Sequence, residues 1–332
     1  MRAWRFVGPH HPLERQEIEQ PHPGPGEVLI RVRAAGVCHS DLHILESPAP
    51  RATPLTLGHE GAGTIEEIGP GVSGVQPGQM VAVFGPNSCG DCRFCRRNEE
   101  NLCPHGPSVG LRADGTYAEF VRCRARNAIP VPEGVTPAQA AVATDAVLTP
   151  YHALRGVARV QAGETVVVIG LGGLGMNGVE IARLLGAFVI AVDLQPEKLT
   201  YALAHGAHEV VDGRDPAAVQ ALAAREPDVV ADFVGVEETL RTAQQIVRPG
   251  GRVQLVGLGS VSAPLLTYRY GAQQVSTLGS FWGTSEELRQ VLALIAHGAI
   301  QPPVTTEPLD NVNDVLDRLR RGEVQGRIAL IP

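Results

Sequence analysis

Four cysteines lie close together at Cys89, Cys92, Cys95 and Cys103. Two-residue gaps let neighbouring thiolates turn toward one centre, and four thiolates close a tetrahedron around Zn²⁺ with no corner left open. A structural zinc is the expected occupant. An iron–sulfur cluster also takes four cysteines, and two disulfides would consume the same residues but are disfavoured in a reducing compartment. Cys123 falls outside the spacing and reads as a small buried side chain.

A second set is more dispersed. Cys38-His39-Ser40-Asp41-Leu42-His43 is followed by Gly58-His59-Glu60-Gly61-Ala62-Gly63. Cys38 and His59 suit zinc, and Asp145 supplies a third donor, although an Asp ahead of a helix is also a common N-cap. Three protein ligands leave one position for water or substrate, the arrangement of a catalytic metal. One thiolate and one carboxylate balance a divalent ion.

A third signal is Gly170-Leu171-Gly172-Gly173-Leu174-Gly175, placed after the apolar run 166–169 and ahead of an apolar-periodic helix expected over 174–185. Such glycines let a backbone approach a pyrophosphate at a helix N-terminus. The next apolar run, 188–192, ends at Asp193, whose carboxylate can accept hydrogen bonds from ribose hydroxyls and repel a 2′-phosphate. NAD is therefore expected over NADP. Lys198, the only lysine of the chain, follows where it could reach the same ribose or simply be solvated.

The elements that must carry these residues follow from texture. Residues 1–145 hold short β-like runs (28–34, 63–68, 80–84, 117–122) separated by Gly/Pro turns, as in a compact β-barrel-like domain. Beyond 145, apolar strands at 166–169, 188–192, 209–211, 228–232, 252–256 and 275–279 alternate with helices, the pattern of βαβ units in a parallel sheet. A helix near 285–297 follows, and 326–332 reads as a strand returning to the first domain. The 332 residues suffice for two domains. With 44% hydrophobic, 19% charged and 4% aromatic residues and a net charge of −7, the chain is a globular protein. Its composition speaks against a disordered chain, a coiled coil or a nucleic-acid coat. The start lacks a signal-peptide core and no apolar run is long enough for a membrane span, so a cytoplasmic location is expected.

Taken together, CHSDLH (38–43), GHEGAG (58–63), the four spaced cysteines, GTYAEF (115–120), GLGGLG (170–175), Asp193 and Gly326-Arg327 resemble the zinc-dependent medium-chain alcohol dehydrogenases over nearly the full length. The resemblance implies an α/β protein. A GroES-like β-barrel catalytic domain would span 1–150 and 286–332, and a Rossmann NAD-binding domain 151–285. It implies a homodimer or homotetramer, two zinc ions per chain and NAD as cofactor, a small alcohol, aldehyde or ketone as substrate, and neither nucleic acid nor membrane as partner.

Residue by residue, Cys38, His59 and Asp145 would hold the catalytic zinc, with Glu60 as an alternate ligand. Asp41 would orient His59, while Ser40 would take the alcohol proton and His43 pass it to solvent. His39 and Arg327 would lie near the pyrophosphate. Val256, Gly257 and Gly279 join the glycine loop as cofactor-binding positions, and Phe84, Asn87 and Trp282 would face the substrate. Many family members place a cysteine where this chain has Asp145. The implied reaction is reversible alcohol oxidation by NAD. The alternatives are a zinc-bearing NAD(P)H-dependent alkene reductase of the same fold and a nucleotide-binding protein without turnover.

Overall fold

The computed structural model describes residues 1–47 and 53–332. The chain forms two compact units, Met1–Leu148 with Thr284–Pro332, and Thr149–Gly283.

In the first unit the long strand Glu27–Gly36 is the hub. It pairs antiparallel with Glu60–Ile68, Phe120–Arg124 and the C-terminal strand Arg327–Ile331. Among the described residues these belong to a seven-stranded sheet, completed by Val304–Pro308, Met80–Val83 and Ala128–Pro130. The C-terminal strand is apolar because it closes this core: Ile328 is 5% and Leu330 0% exposed, beside Val28, Ile30 and Ile65. Each such side chain taken from water is worth about 1.5–3 kcal/mol.

Strands Arg2–Phe6 and Glu14–Glu17 and helices His39–Glu46 and Val312–Arg320 are among the elements beyond the sequence expectations. The strand expected at 117–122 begins later, at Phe120. Residues 115–117 instead bond back to the segment before Glu60, through Gly115 N–H to the Thr56 carbonyl and Tyr117 N–H to the Leu57 carbonyl.

The helix that starts at Pro137 is well capped. Thr136 and Gln139 exchange backbone and side-chain bonds at 3.0 and 3.3 Å. At Ala143–Val147 it widens into π geometry. Pro150 has no N–H, so the α bond to the Ala146 carbonyl cannot form, and the turn relaxes into the wider winding. Asp145 sits in this wide turn.

In the second unit six parallel strands run in the order Glu209–Asp212, Phe188–Asp193, Thr165–Ile169, Val229–Asp232, Arg252–Leu255 and Ser276–Gly279. The chain order reverses beside Thr165–Ile169, so the loop leaving that strand opens at the topological switch point, where α/β sheets bind nucleotides. Helix Gly173–Leu184 begins there with Gly172 at its N-cap. Gly175 has no substitute: a Cβ would fall 1.7 Å from the Gly170 carbonyl oxygen.

Candidate functional site

The four clustered cysteines converge. Their sulfurs lie 3.5 Å (Cys92–Cys95), 3.6 Å (Cys103–Cys89), 3.8 Å (Cys92–Cys103) and 3.9 Å (Cys89–Cys95) apart. Tetrahedral Zn–S bonds of about 2.3 Å require sulfur separations of about 3.8 Å, whereas a disulfide needs about 2.05 Å. The donor set therefore fits one zinc. Backbone N–H groups of Cys89 and Gly90 point at the Cys103 and Cys95 sulfurs at 3.4 and 3.3 Å, favouring thiolates. The Cys95 backbone N–H pulls the Cys92 thiol down to about 6, while burial pushes Cys95 up to about 12.

The lobe is anchored by Asn87, whose Nδ2 donates to the Pro107 carbonyl at 3.2 Å and whose Oδ1 accepts the Arg124 N–H at 3.1 Å. Asn87, expected to face the substrate, has both ends of its amide engaged in these bonds. Phe84, also expected to face the substrate, is 0% exposed. Trp282, in the second unit, is buried at 4% exposure and edge-on to Phe281.

The dispersed set also converges, within the first unit. Ligand atoms of Cys38, His59, Glu60 and Asp145 all lie within 4.8 Å of one another. Cys38 stands in extended conformation ahead of helix His39–Glu46. His59 precedes strand Glu60–Ile68, and Asp145 projects from the π turn. Asp145 Oδ2 is 3.5 Å from Cys38 Sγ and 3.5 Å from His59 Nε2. Sulfur and oxygen on one tetrahedral zinc sit about 3.5 Å apart. The Asp145 carboxylate thus faces Cys38 and His59 at spacing that fits a shared zinc.

Behind the donors stands a polar frame. Asp41, 0% exposed, accepts the Cys38 N–H on Oδ2 at 3.1 Å and places Oδ1 3.4 Å from His59 Nδ1. The Tyr117 hydroxyl lies 2.8 Å from Asp41 Oδ2; burial and that carboxylate hold the phenol well above its ordinary value, so it donates. Arg327, assigned by the resemblance to the pyrophosphate, is enclosed beside Glu60, with Nη2 2.6 Å from Glu60 Oε1 and 3.4 Å from Asp145 Oδ2. Its charge answers the acids of the metal centre. This pairing was not legible in a chain separation of 267 residues.

Burial pushes the Glu60 carboxyl up to about 7 even against the pull of Arg327. Burial works against a charged His59, but Asp41 and Asp145 outweigh it and raise the imidazole. A cation among these donors reverses that preference, because ligation takes the neutral ring. Cys38 and Asp145 then match a divalent ion, with Glu60 already answered by Arg327.

Of the remaining residues of this segment, Ser40 is half-buried, 3.6 Å from Cys38 Sγ, while His39 and His43 are exposed. In the second unit Asp193 closes the glycine loop: Oδ2 accepts the Leu171 N–H at 2.7 Å and Oδ1 the Gln195 N–H at 2.9 Å. Lys198 is half-buried on helix Pro196–Ala204. The Val256 and Gly257 N–H groups donate to the Asp232 carbonyl at 2.9 and 3.0 Å, just past Arg252–Leu255, and Gly279 ends the edge strand.

Two family models match the chain, an alcohol dehydrogenase GroES-like domain over residues 24–133 and a zinc-binding dehydrogenase domain over 173–297. An alcohol dehydrogenase of Geobacillus stearothermophilus is 37% identical over 324 residues, 96% of each chain. The structure of acetophenone reductase from Geotrichum candidum in complex with NAD is 38% identical, with a TM-score of 0.93 over 100% of this chain and 97% of that one. The alcohol dehydrogenase of the hyperthermophilic archaeon Aeropyrum pernix is 35% identical, with a TM-score of 0.94 over 100% of both chains.

Proposed function

The chain belongs to the zinc-dependent medium-chain dehydrogenase family, and from that premise we propose that it interconverts a primary or secondary alcohol with its aldehyde or ketone, exchanging a hydride with NAD. The observation that carries the reading is the convergence of a thiol, an imidazole and two carboxyls in one buried cluster. The same chain holds a glycine loop closed by an acid at a switch point.

Cys38, His59 and Asp145 would hold one zinc ion, with Glu60 as an alternate ligand, and the four clustered cysteines the other. When bound, the first ion supplies a Lewis acid that lowers the pKa of a hydroxyl, as it lowers that of water from about 15.7 to about 7. The protein's own groups do the rest. Ser40, beside the Cys38 sulfur, would accept the alcohol proton on Oγ as its own hydroxyl proton leaves toward solvent. His43 stands three residues on in the same helix and on the same face, exposed, and passes the proton to water. Asp41 holds the His59 ring in place. Asp193 receives the adenosine ribose, its charge excluding a 2′-phosphate, and Lys198 lies one turn into the following helix. His39 is assigned to the pyrophosphate.

A homodimer or homotetramer is part of the proposal. The strand Ser276–Gly279 ends its sheet, and the same unit exposes Val261, Leu265 and Tyr268. No helix of the described residues is long and apolar enough to cross a membrane. We place the protein in the reducing cytoplasm, where clustered cysteines more often bind metal than form disulfides.

The test is NADH formation from ethanol, hexanol, benzyl alcohol and a secondary alcohol, with and without chelator, alongside a zinc count per chain. Turnover that a chelator abolishes and two zinc equivalents are expected. No oxidation of any alcohol, together with reduction of an enal double bond by NADH, overturns the reading in favour of an alkene reductase.

A further inference from the structure

The turn Gly115-Thr116-Tyr117 has no part in the reaction above, yet it grips the metal centre at several points. Thr116 N–H donates to the Gly58 carbonyl at 2.9 Å and Tyr117 N–H to the Leu57 carbonyl at 3.0 Å. Thr116 Oγ1 donates to the Glu60 carbonyl at 3.1 Å. These bonds fix the backbone on both sides of His59. The Tyr117 ring is 0% exposed and lies against Gly58, where φ is +90° and a Cβ would fall 2.6 Å from ring Cδ1. The residue before His59 is therefore glycine because the ring occupies its side-chain space.

The ring's hydroxyl ends 2.8 Å from Asp41 Oδ2. The same oxygen accepts the Cys38 N–H, and the other carboxylate oxygen faces His59 Nδ1. One phenol thus holds the carboxylate that touches two of the proposed ligands.

We infer that Tyr117 is a positioning residue for the catalytic zinc: its hydroxyl locks the Asp41 carboxylate, which sets the His59 ring and the Cys38 backbone. The inference rests on the proposed metal centre. Loss of an outer hydrogen bond of this kind costs roughly 10–100-fold in metal affinity.

Tyr117→Phe removes one buried oxygen and keeps the ring. Zinc release to excess chelator is followed for both equivalents, and the equivalent missing from Cys38→Ser protein identifies the catalytic one. The proteins are also reloaded with Co²⁺ to record ligand-field absorption. In Tyr117→Phe the catalytic equivalent should leave roughly 10–100-fold faster with shifted cobalt bands, while the four-cysteine equivalent keeps its wild-type rate. Wild-type release of both equivalents overturns the inference. So does equal loosening of both, the mark of a general packing defect. Wild-type protein that binds a single zinc overturns the metal centre itself, and the clamp with it.

Discussion

Arg327→Met should unbalance the buried acids of the metal centre in a manner that depends on pH. The Arg327 side chain is 4% and that of Glu60 0% exposed, and their contact at 2.6 Å is joined by Nε bonds of 3.1 and 3.3 Å. Removing one partner of such a pair strands a charge and costs about 3–5 kcal/mol. Protonation of Glu60 limits that cost. Its carboxyl stands at about 7 in the folded protein against an ordinary 4.5. The folded state therefore holds the extra proton between those values, and wild-type stability falls as pH rises across that window and levels off above it.

Without Arg327 the folded value moves higher. The decline then continues past neutrality by about 1.4 kcal/mol for each pH unit. For a unit of this size each kcal/mol is worth about 2–4 °C of Tm, so the full deficit corresponds to roughly 6–20 °C. The assay is thermal unfolding of chelator-treated, metal-free wild type and variant near pH 6 and pH 8.5. The gap should be small at the lower pH and widen by about 2 kcal/mol, or roughly 4–8 °C, at the higher. Adding Glu60→Gln should restore most of the loss, since replacing both partners is close to neutral. A gap under about 3 °C at the higher pH, or one that narrows as pH rises, would refute the reasoning.

Cys92→Ser should cost one zinc equivalent per chain and expose residues 86–107 to protease; two retained equivalents in metal analysis would remove the four-sulfur site. In Gly175→Ala the new Cβ meets the Gly170 carbonyl oxygen at 1.7 Å, so calorimetry should show NAD affinity reduced by at least about 10-fold, and unchanged affinity would contradict the loop geometry. Asp193→Ala removes the acceptor of the Leu171 and Gln195 N–H groups together with the charge that repels a 2′-phosphate. The ratio of kcat/KM for NAD over NADP should fall by about 10–100-fold, or about 1.4–2.8 kcal/mol, and an unmoved ratio would take that residue out of cofactor choice.

Local chemistry made much of this protein legible from its residues in order. Two-residue cysteine gaps fold back on themselves within one loop, so the four-sulfur cluster can be read from spacing. The glycine loop depends on neighbours in the chain: an apolar strand before it, a helix after it and an acid closing the next strand. The parallel sheet follows from continuous valine and isoleucine runs, because strands covered on both faces have no polar side to alternate with.

Other features required the chain to close on itself. Nothing near Arg327 in sequence announces Glu60, whose carboxylate meets it only when the C-terminal strand pairs with Glu27–Gly36 and brings it beside Glu60–Ile68. The directions in which Asn87 and Phe84 face belong to packing and not to residue type. Asp145 faces Cys38 and His59 from one wide turn of its helix, a winding that the residue order does not announce. Tyr117 reaches Asp41 across 76 positions. Ligand types and loop chemistry are properties of short segments and survive in the linear text. Which side chains face one another across a core is settled by the simultaneous packing of distant segments, and only the folded chain contains it.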